Sequence, residues 1–291
     1  MTNAIQIAVL GVLLGGVYAL MASGLTMIYG VMQIINLAHG AFMIVAAYVA
    51  FFLYRDSGID PFLSILITAP AFFVAGLIVY TLLFSRLVDS PRFGEMTVLL
   101  SFGLALALEG SLGAGFSGIY HRSDVSYSTS TWDIGSIFIP KGQAYGFVAC
   151  LGLFGLLWAF LNLTRPGYAI RATMQNRGAA QVVGVNVTRI STIAFGIGAA
   201  LAGAAGSLMS FLFTFHPAAH WQWIALLLSL IVVGGLGSLA GVFVAGIGLA
   251  VVAAFATDWL SPTWSYLTFY LALFIVLLVR PQGLFGKAAT I

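Results

Sequence analysis

Residues 29–42, YGVMQIINLAHGAF, set an amide at Gln33, a second amide at Asn36 and an imidazole at His39 inside a long apolar block. Polar groups at membrane depth cost free energy unless they are bonded or line a cavity, so three of them at three-residue spacing need a reason. On an ideal helix that spacing spirals gradually around the axis. The residues fit a helix break better, with Gly30 before them and Gly40 after. Two readings follow. A break near the midplane lines a transport pathway, or a short turn joins two spans and Asn36 caps the second. Glu109, in LALALEGSLGAG, is the other candidate. A lone carboxylate at the bilayer centre costs about 2.5–3.5 kcal/mol and normally faces a protein interior or a cavity. Glu109 is read either as a pathway or proton-coupling group, or as a carboxyl bonded to neighbouring backbone.

Other chemistries find no support. GLFGKAA (283–289) has the lysine of a phosphate-binding loop but neither its spacing nor its hydroxyl residue, so no ATP site is expected here. GAGFSG (113–118) has dinucleotide-loop spacing, but it ends an apolar helix and precedes no strand–helix–strand unit, so close helix packing is the expected use. His39, His121, His216 and His220 include no i, i+4 pair facing an acid, and HPAAH is a proline-containing loop with little metal character. Cys150, the one cysteine, excludes an internal disulfide and reads as a small buried hydrophobe. No serine–histidine–aspartate arrangement can be argued from spacing. The arginines form no basic stripe, so nucleic acid is not an expected partner.

The elements that must position these groups are membrane helices. Only 7% of the 291 residues are charged, against about 25% in an ordinary soluble protein. Mean hydropathy is +1.08. So few charges cannot cover a soluble body of this size, and the fold class is all-α, a polytopic integral membrane protein. Apolar stretches of spanning length fall at 4–29, 34–54, 61–85, 96–117, 144–163, 190–213, 238–256 and 264–280. The block 221–233 is too short to span and reads as a half-helix. About eight to ten crossings result. The amino terminus has no positive region of a cleavable signal and is read as a retained span. RLVDSPR (86–92) and 164–189 hold six of the nine arginines, and Arg280 and Lys287 follow the last span, so these regions are expected on the cytoplasmic side. Counting through gives about nine crossings, with the amino terminus outside and the carboxy terminus inside. Residues 118–143 form an external loop in which SIFIP reads as a short strand. Residues 168–183 read as one cytoplasmic helix lying on the membrane or on a protein partner. Small residues at four-residue spacing (Gly11 and Gly15; Gly198, Ala202 and Gly206; Gly237 and Gly241) mark helix contacts. A faint repeat links 38–49 to 239–250 through a shared Gly-x-Phe step.

Several segments together resemble a known family. YALMASGLTMIYGVMQIINLAHGAFMIVAAYVA (18–50) looks like the amino-terminal signature of the branched-chain amino acid ABC transporter permeases, type H subunit. RATMQNRGAAQVVGVNVTRISTIAFGIGAALAGAAG (171–206) is similar to that family's coupling segment and following helix. GGLGSLAGVFVAG (234–246) and RPQGLFG (280–286) match its carboxy-terminal pattern, so the likeness runs in order along nearly the whole chain. The resemblance implies a single permease domain over 1–291 in a bacterial inner membrane. It also implies a second, non-identical permease, two cytoplasmic ATPase subunits and a periplasmic solute-binding protein. ATP would act on the ATPases, and no cofactor is expected on this chain. Carried over by position, Arg171, Gln175, Arg177, Ala180 and Gly184 would couple the ATPase, and Gln33, Asn36, His39 and Glu109 would belong to the substrate pathway. The family often has Arg where this chain has Gln33, Glu where it has Ala41, and an acid where it has Gly178. The last change removes a possible ion pair with the ATPase. Two alternatives stay open at this point. One is a stand-alone secondary transporter or channel using Glu109; the other is an ABC permease for urea, short amides or aromatic acids.

Overall fold

The computed structural model describes residues 2–88, 90–135 and 137–286. Lys287, counted above among the positive charges after the last span, lies outside them. Among the described residues eight helices are long and apolar enough to cross a membrane, and the apolar helix Thr263–Val279 is somewhat shorter. In chain order they are α1 (Thr2–Met32), α2 (Ala38–Ser57), α3 (Pro61–Val79), α4 (Phe93–Phe116), α5 (Lys141–Leu163), the short α6 (Arg165–Gln175) and α7 (Arg177–Val182), then α8 (Val187–Leu212), α9 (His220–Gly234), α10 (Leu239–Trp259) and α11 (Thr263–Val279). A hairpin of β1 (Thr131–Ile134) and β2 (Ile137–Pro140) pairs Trp132 with Ile139, so the strand expected in SIFIP is present.

Helix α8 forms the centre, and its small residues explain why. Lipid tails are as apolar as leucine, so helices associate through close packing, and glycine permits the closest approach. A Cβ at Gly198 would lie 2.6 Å from Ile28 of α1, and one at Gly206 would lie 2.6 Å from the Ala46 Cβ of α2. The α1–α10 contact is built the same way: Gly15 lies against the Ile247 backbone and Gly11 against that of Val251. The outward faces of α3, α5 and α11 carry Leu66, Leu156 and Phe274, all exposed, as helices facing lipid tails require.

Two breaks interrupt this bundle. Helix α1 stops at Met32, and Gln33 turns the chain with φ 55, a left-handed conformation that glycine usually supplies at a helix end. The chain then doubles back. His39, the second residue of α2, hydrogen-bonds the Met21 carbonyl oxygen at 2.9 Å. Met21 lies about 16 Å up α1 from its end at 1.5 Å per residue, so α2 begins deep inside the bundle. The second break follows α8. Phe215 pairs with His121 through two backbone hydrogen bonds, and both rings pack on Tyr48 of α2. Partial burial, and then the Arg55 charge, push the His121 pKa down. Within a few residues the chain reaches His220, whose carbonyl oxygen would lie 2.8 Å from a Cβ at Gly40. Gly40 and Tyr48 are about 12 Å apart along α2, so α9 also starts inside the bundle. Its 15 residues span about 22 Å, but the turn Pro217–Ala219 runs straight into it and the joined 18-residue segment is one of the eight counted above, so the half-helix expected from the 221–233 block is longer than its apolar run showed.

From their meeting point α2 and α9 run to opposite faces. One face carries the hairpin, held to α1 by reciprocal hydrogen bonds between the Gln6 amide and the Phe138 backbone. The other carries α6, α7 and the end of α9, where residues 284–285 donate to the Val233 and Gly234 carbonyls. The helix–break–helix plan thus recurs in α1–α2 and α8–α9 with reversed direction. The 38–49 and 239–250 segments do start helices, but they belong to different plans, because α10 has no break before it of this kind.

The segment expected as one helix over 168–183 is two. Asn176 adopts an extended conformation at φ −158 and accepts a hydrogen bond from Ala179 N at 2.9 Å, which ends α6 and caps α7 in one step.

Candidate functional site

Asn36 and His39 are fully buried, and Gln33 is exposed at the α1 end. Asn36 Oδ1 accepts from Ala38 N at 3.1 Å, a local turn one residue before the N-cap, which is Leu37 and has no side-chain cap, so Asn36 is not the cap that was expected. A carbonyl only accepts, so His39 Nε2 carries the proton given to Met21 O, and Nδ1 is left without a partner, as is Asn36 Nδ2. The break is closed over by α8, because a Cβ at Gly24 would meet both the Gly198 carbonyl and the His39 ring. On the α4 side, Leu37 N donates to Ser101 Oγ at 3.1 Å. The three sequence candidates therefore share no surface, and none of their side chains reaches Glu109.

Glu109 gathers a different set. His220 Nε2 and Trp221 Nε1, from the first two residues of α9, lie 3.0 and 2.9 Å from the same oxygen, Oε2. The Trp221 and His220 rings sit side by side, and Phe102 of α4 packs on the indole. The partners are side chains, so the expected bond to neighbouring backbone is not what holds this carboxyl. Its place also differs from the middle of the span. Glu109 stands two turns, about 10 Å, from the hairpin-side end of α4. The His220 side chain is 1% exposed and that of Glu109 26%.

Glu109 opens onto a recess of ≈ 450 Å³ lined by Leu106, Gly110, Gly113, Ser117, Gly118 and the His216–Ala218 turn. No Lys or Arg is among these residues. The glycines of GAGFSG were expected to serve close helix packing. Within this chain they do not: a Cβ at Gly113, Gly115 or Gly118 would have no neighbour within 4 Å, nor would one at the nearby Gly110. The missing side chains of Gly110, Gly113 and Gly118 leave the recess open instead. His220 and Trp221 were missed as site residues, and the local signal was the His-Trp pair opening a half-helix after Pro217.

The coupling candidates occupy the opposite face. Arg171 donates to Asn162 Oδ1 of α5 at 2.7 Å and stacks over Tyr168, so it ties α6 to α5. Gln175 is exposed, Arg177 half-buried and Ala180 buried. Gly184, at φ 87, ends α7. The outermost surface of this elbow is Val182 and Val183, 88% and 77% exposed.

A bundle of apolar helices with two breaks pointing inward defines a multi-pass membrane protein of the permease class. The family model for branched-chain amino acid transport system permease components matches residues 7–278, and the chain belongs to that family. It is 30% identical to the high-affinity branched-chain amino acid transport system permease protein LivH of Salmonella typhimurium over 95% of this chain and 94% of that one. It is 28% identical to LivM, a permease protein of the same system in the same organism, over 92% of this chain and 67% of LivM. Among solved structures it resembles PsaBC from Streptococcus pneumoniae in complex with Fab, with a TM-score of 0.51 at 13% identity over 96% and 92% of the two chains, a likeness of fold.

Proposed function

We propose that this chain forms one side of the translocation path of an ABC importer for branched-chain amino acids. Family membership over residues 7–278 carries this reading. It favours the importer subunit over a stand-alone transporter or channel, and branched-chain amino acids over urea, short amides or aromatic acids. A second permease, akin to LivM, completes the path. The arginine-rich α6–α7 face lies in the cytoplasm by the positive-inside rule, with the amino terminus and hairpin on the periplasmic side of the inner membrane. One of the two ATPases docks at α6–α7, where Val182 and Val183 offer an exposed apolar contact beside Gln175, and the other docks on the second permease. ATP acts on those subunits. A solute-binding protein delivers its cargo at the hairpin and the loop before it. Tyr127 fixes that loop by donating to both Asp60 oxygens, 3.0 and 2.9 Å away, at the start of α3.

The test is reconstitution. Liposomes holding this chain, the second permease, both ATPases and the binding protein take up leucine only with ATP, and omitting the ATPases abolishes uptake. Leucine uptake driven by a proton gradient through this chain alone would overturn the reading.

A further inference from the structure

We propose that Glu109 is a way-station for the ammonium group of the transported amino acid, on the periplasmic half of the path. The inference rests on the function proposed above, since it needs a substrate that carries an ammonium.

The geometry at the carboxylate is lopsided. Both donors converge on Oε2, and no described residue donates to Oε1. The indole nitrogen can only donate, so Oε2 is held as an acceptor and the side chain is fixed in orientation. The first turn of α9 adds a favourable field for an anion at this point. The free oxygen belongs to a side chain that is partly exposed toward the recess. A carboxylate in apolar surroundings calls for a charged donor. Among the described residues, no cationic side chain other than the His220 imidazole lies within 4 Å of Glu109, and no cluster of His, Cys, Asp and Glu is able to hold a metal ion. An ammonium is the mobile partner that fits. The walls suit the rest of a small aliphatic amino acid. Leu106, Pro217 and Ala218 are apolar, and Gly110 and Gly113 leave the α4 backbone uncovered. A second carboxylate on the ligand would face Glu109 with like charge, so acidic amino acids are disfavoured.

Two measurements on the complete importer in liposomes test this. Glu109→Gln keeps an acceptor for His220 and Trp221 but loses the charge. It is expected to lower ATP-driven leucine uptake by about tenfold or more, the scale of one hydrogen bond to a charged group, while co-purification with the second permease and ATPases stays intact. Glu109→Asp recovers part of the loss. The second measurement needs no variant. Dicyclohexylcarbodiimide labels membrane carboxyls, and peptide mass spectrometry reads the extent at Glu109. Leucine is expected to protect Glu109, and 4-methylpentanoate, which has the same side chain and carboxylate but no ammonium, is not. Equal labelling with and without leucine, or wild-type uptake by the Glu109→Gln importer, overturns the inference and leaves the importer standing. A wild-type importer that takes up no leucine with ATP overturns the function proposed above instead.

Discussion

At the first break, between α1 and α2, His39 is fully buried and its proton is committed to the Met21 carbonyl. At the second, between α8 and α9, His220 is equally buried, yet its Nε2 faces a carboxylate that opens onto a recess. Both histidines sit in the first turn of a helix that starts inside the bundle, and Gly40 brings the two starts into contact. What differs is the cover. Small residues of α8 seal the first break, with Gly198 close against Gly24. The second is bordered by α4, whose Gly110 and Gly113 present no side chain. One helix serves both breaks: Ser101 of α4 accepts from the first break, and Glu109 accepts from the second. The same backbone device thus holds the fold in one place and opens a polar group onto a recess in the other.

Substitutions can break this contrast. The largest effect is expected at Gly40, where a Cβ would lie 2.8 Å from the His220 carbonyl and 3.3 Å from Ile224. Gly40→Leu should destabilise the detergent-purified complex by about 1–3 kcal/mol or more through overpacking, read as a fall in melting temperature and folded yield. Gly110→Leu, with nothing within 4 Å of its Cβ, is the matched control. It should leave melting unchanged or slightly raised, since leucine favours helix over glycine by roughly 0.8 kcal/mol, and lower leucine uptake by filling the recess. A next, smaller effect is expected for His39→Leu, which keeps the bulk and removes the bond to Met21. The melting temperature should fall by the equivalent of about 1 kcal/mol, with uptake per assembled complex retained. Lost uptake with unchanged melting would place His39 on the path. The smallest effect has the opposite sign. Gln33→Gly relieves a non-glycine residue at φ 55, and stability should rise by up to about 1 kcal/mol in the same melting assay.

Much of the architecture was legible beforehand. Hydropathy located the spans because each membrane helix must be apolar over its own length. The break near Gln33 showed itself by polar residues between glycines, whereas the 221–233 block read too short because the helical segment extends back to Pro217. Other features depended on single side chains. Asn176 divides the 168–183 segment because its side-chain Oδ1 captures the Ala179 amide, a choice that helical periodicity does not register. The glycines of 113–118 were read as contact residues by their spacing. Spacing does not say whether a partner helix lies opposite, and within this chain none does.

The sequence by itself determined that this is a many-helix membrane protein and that its first helix breaks near Gln33, because each of these follows from local composition against an apolar solvent. The tertiary structure alone decided which groups meet. Glu109 finds His220 and Trp221 from 111 and 112 residues away, whereas Asn36 and His39 close upon neighbouring backbone. That pairing comes from where α4 crosses the start of α9, a packing outcome of small residues on several helices at once, and no single stretch of sequence encodes it.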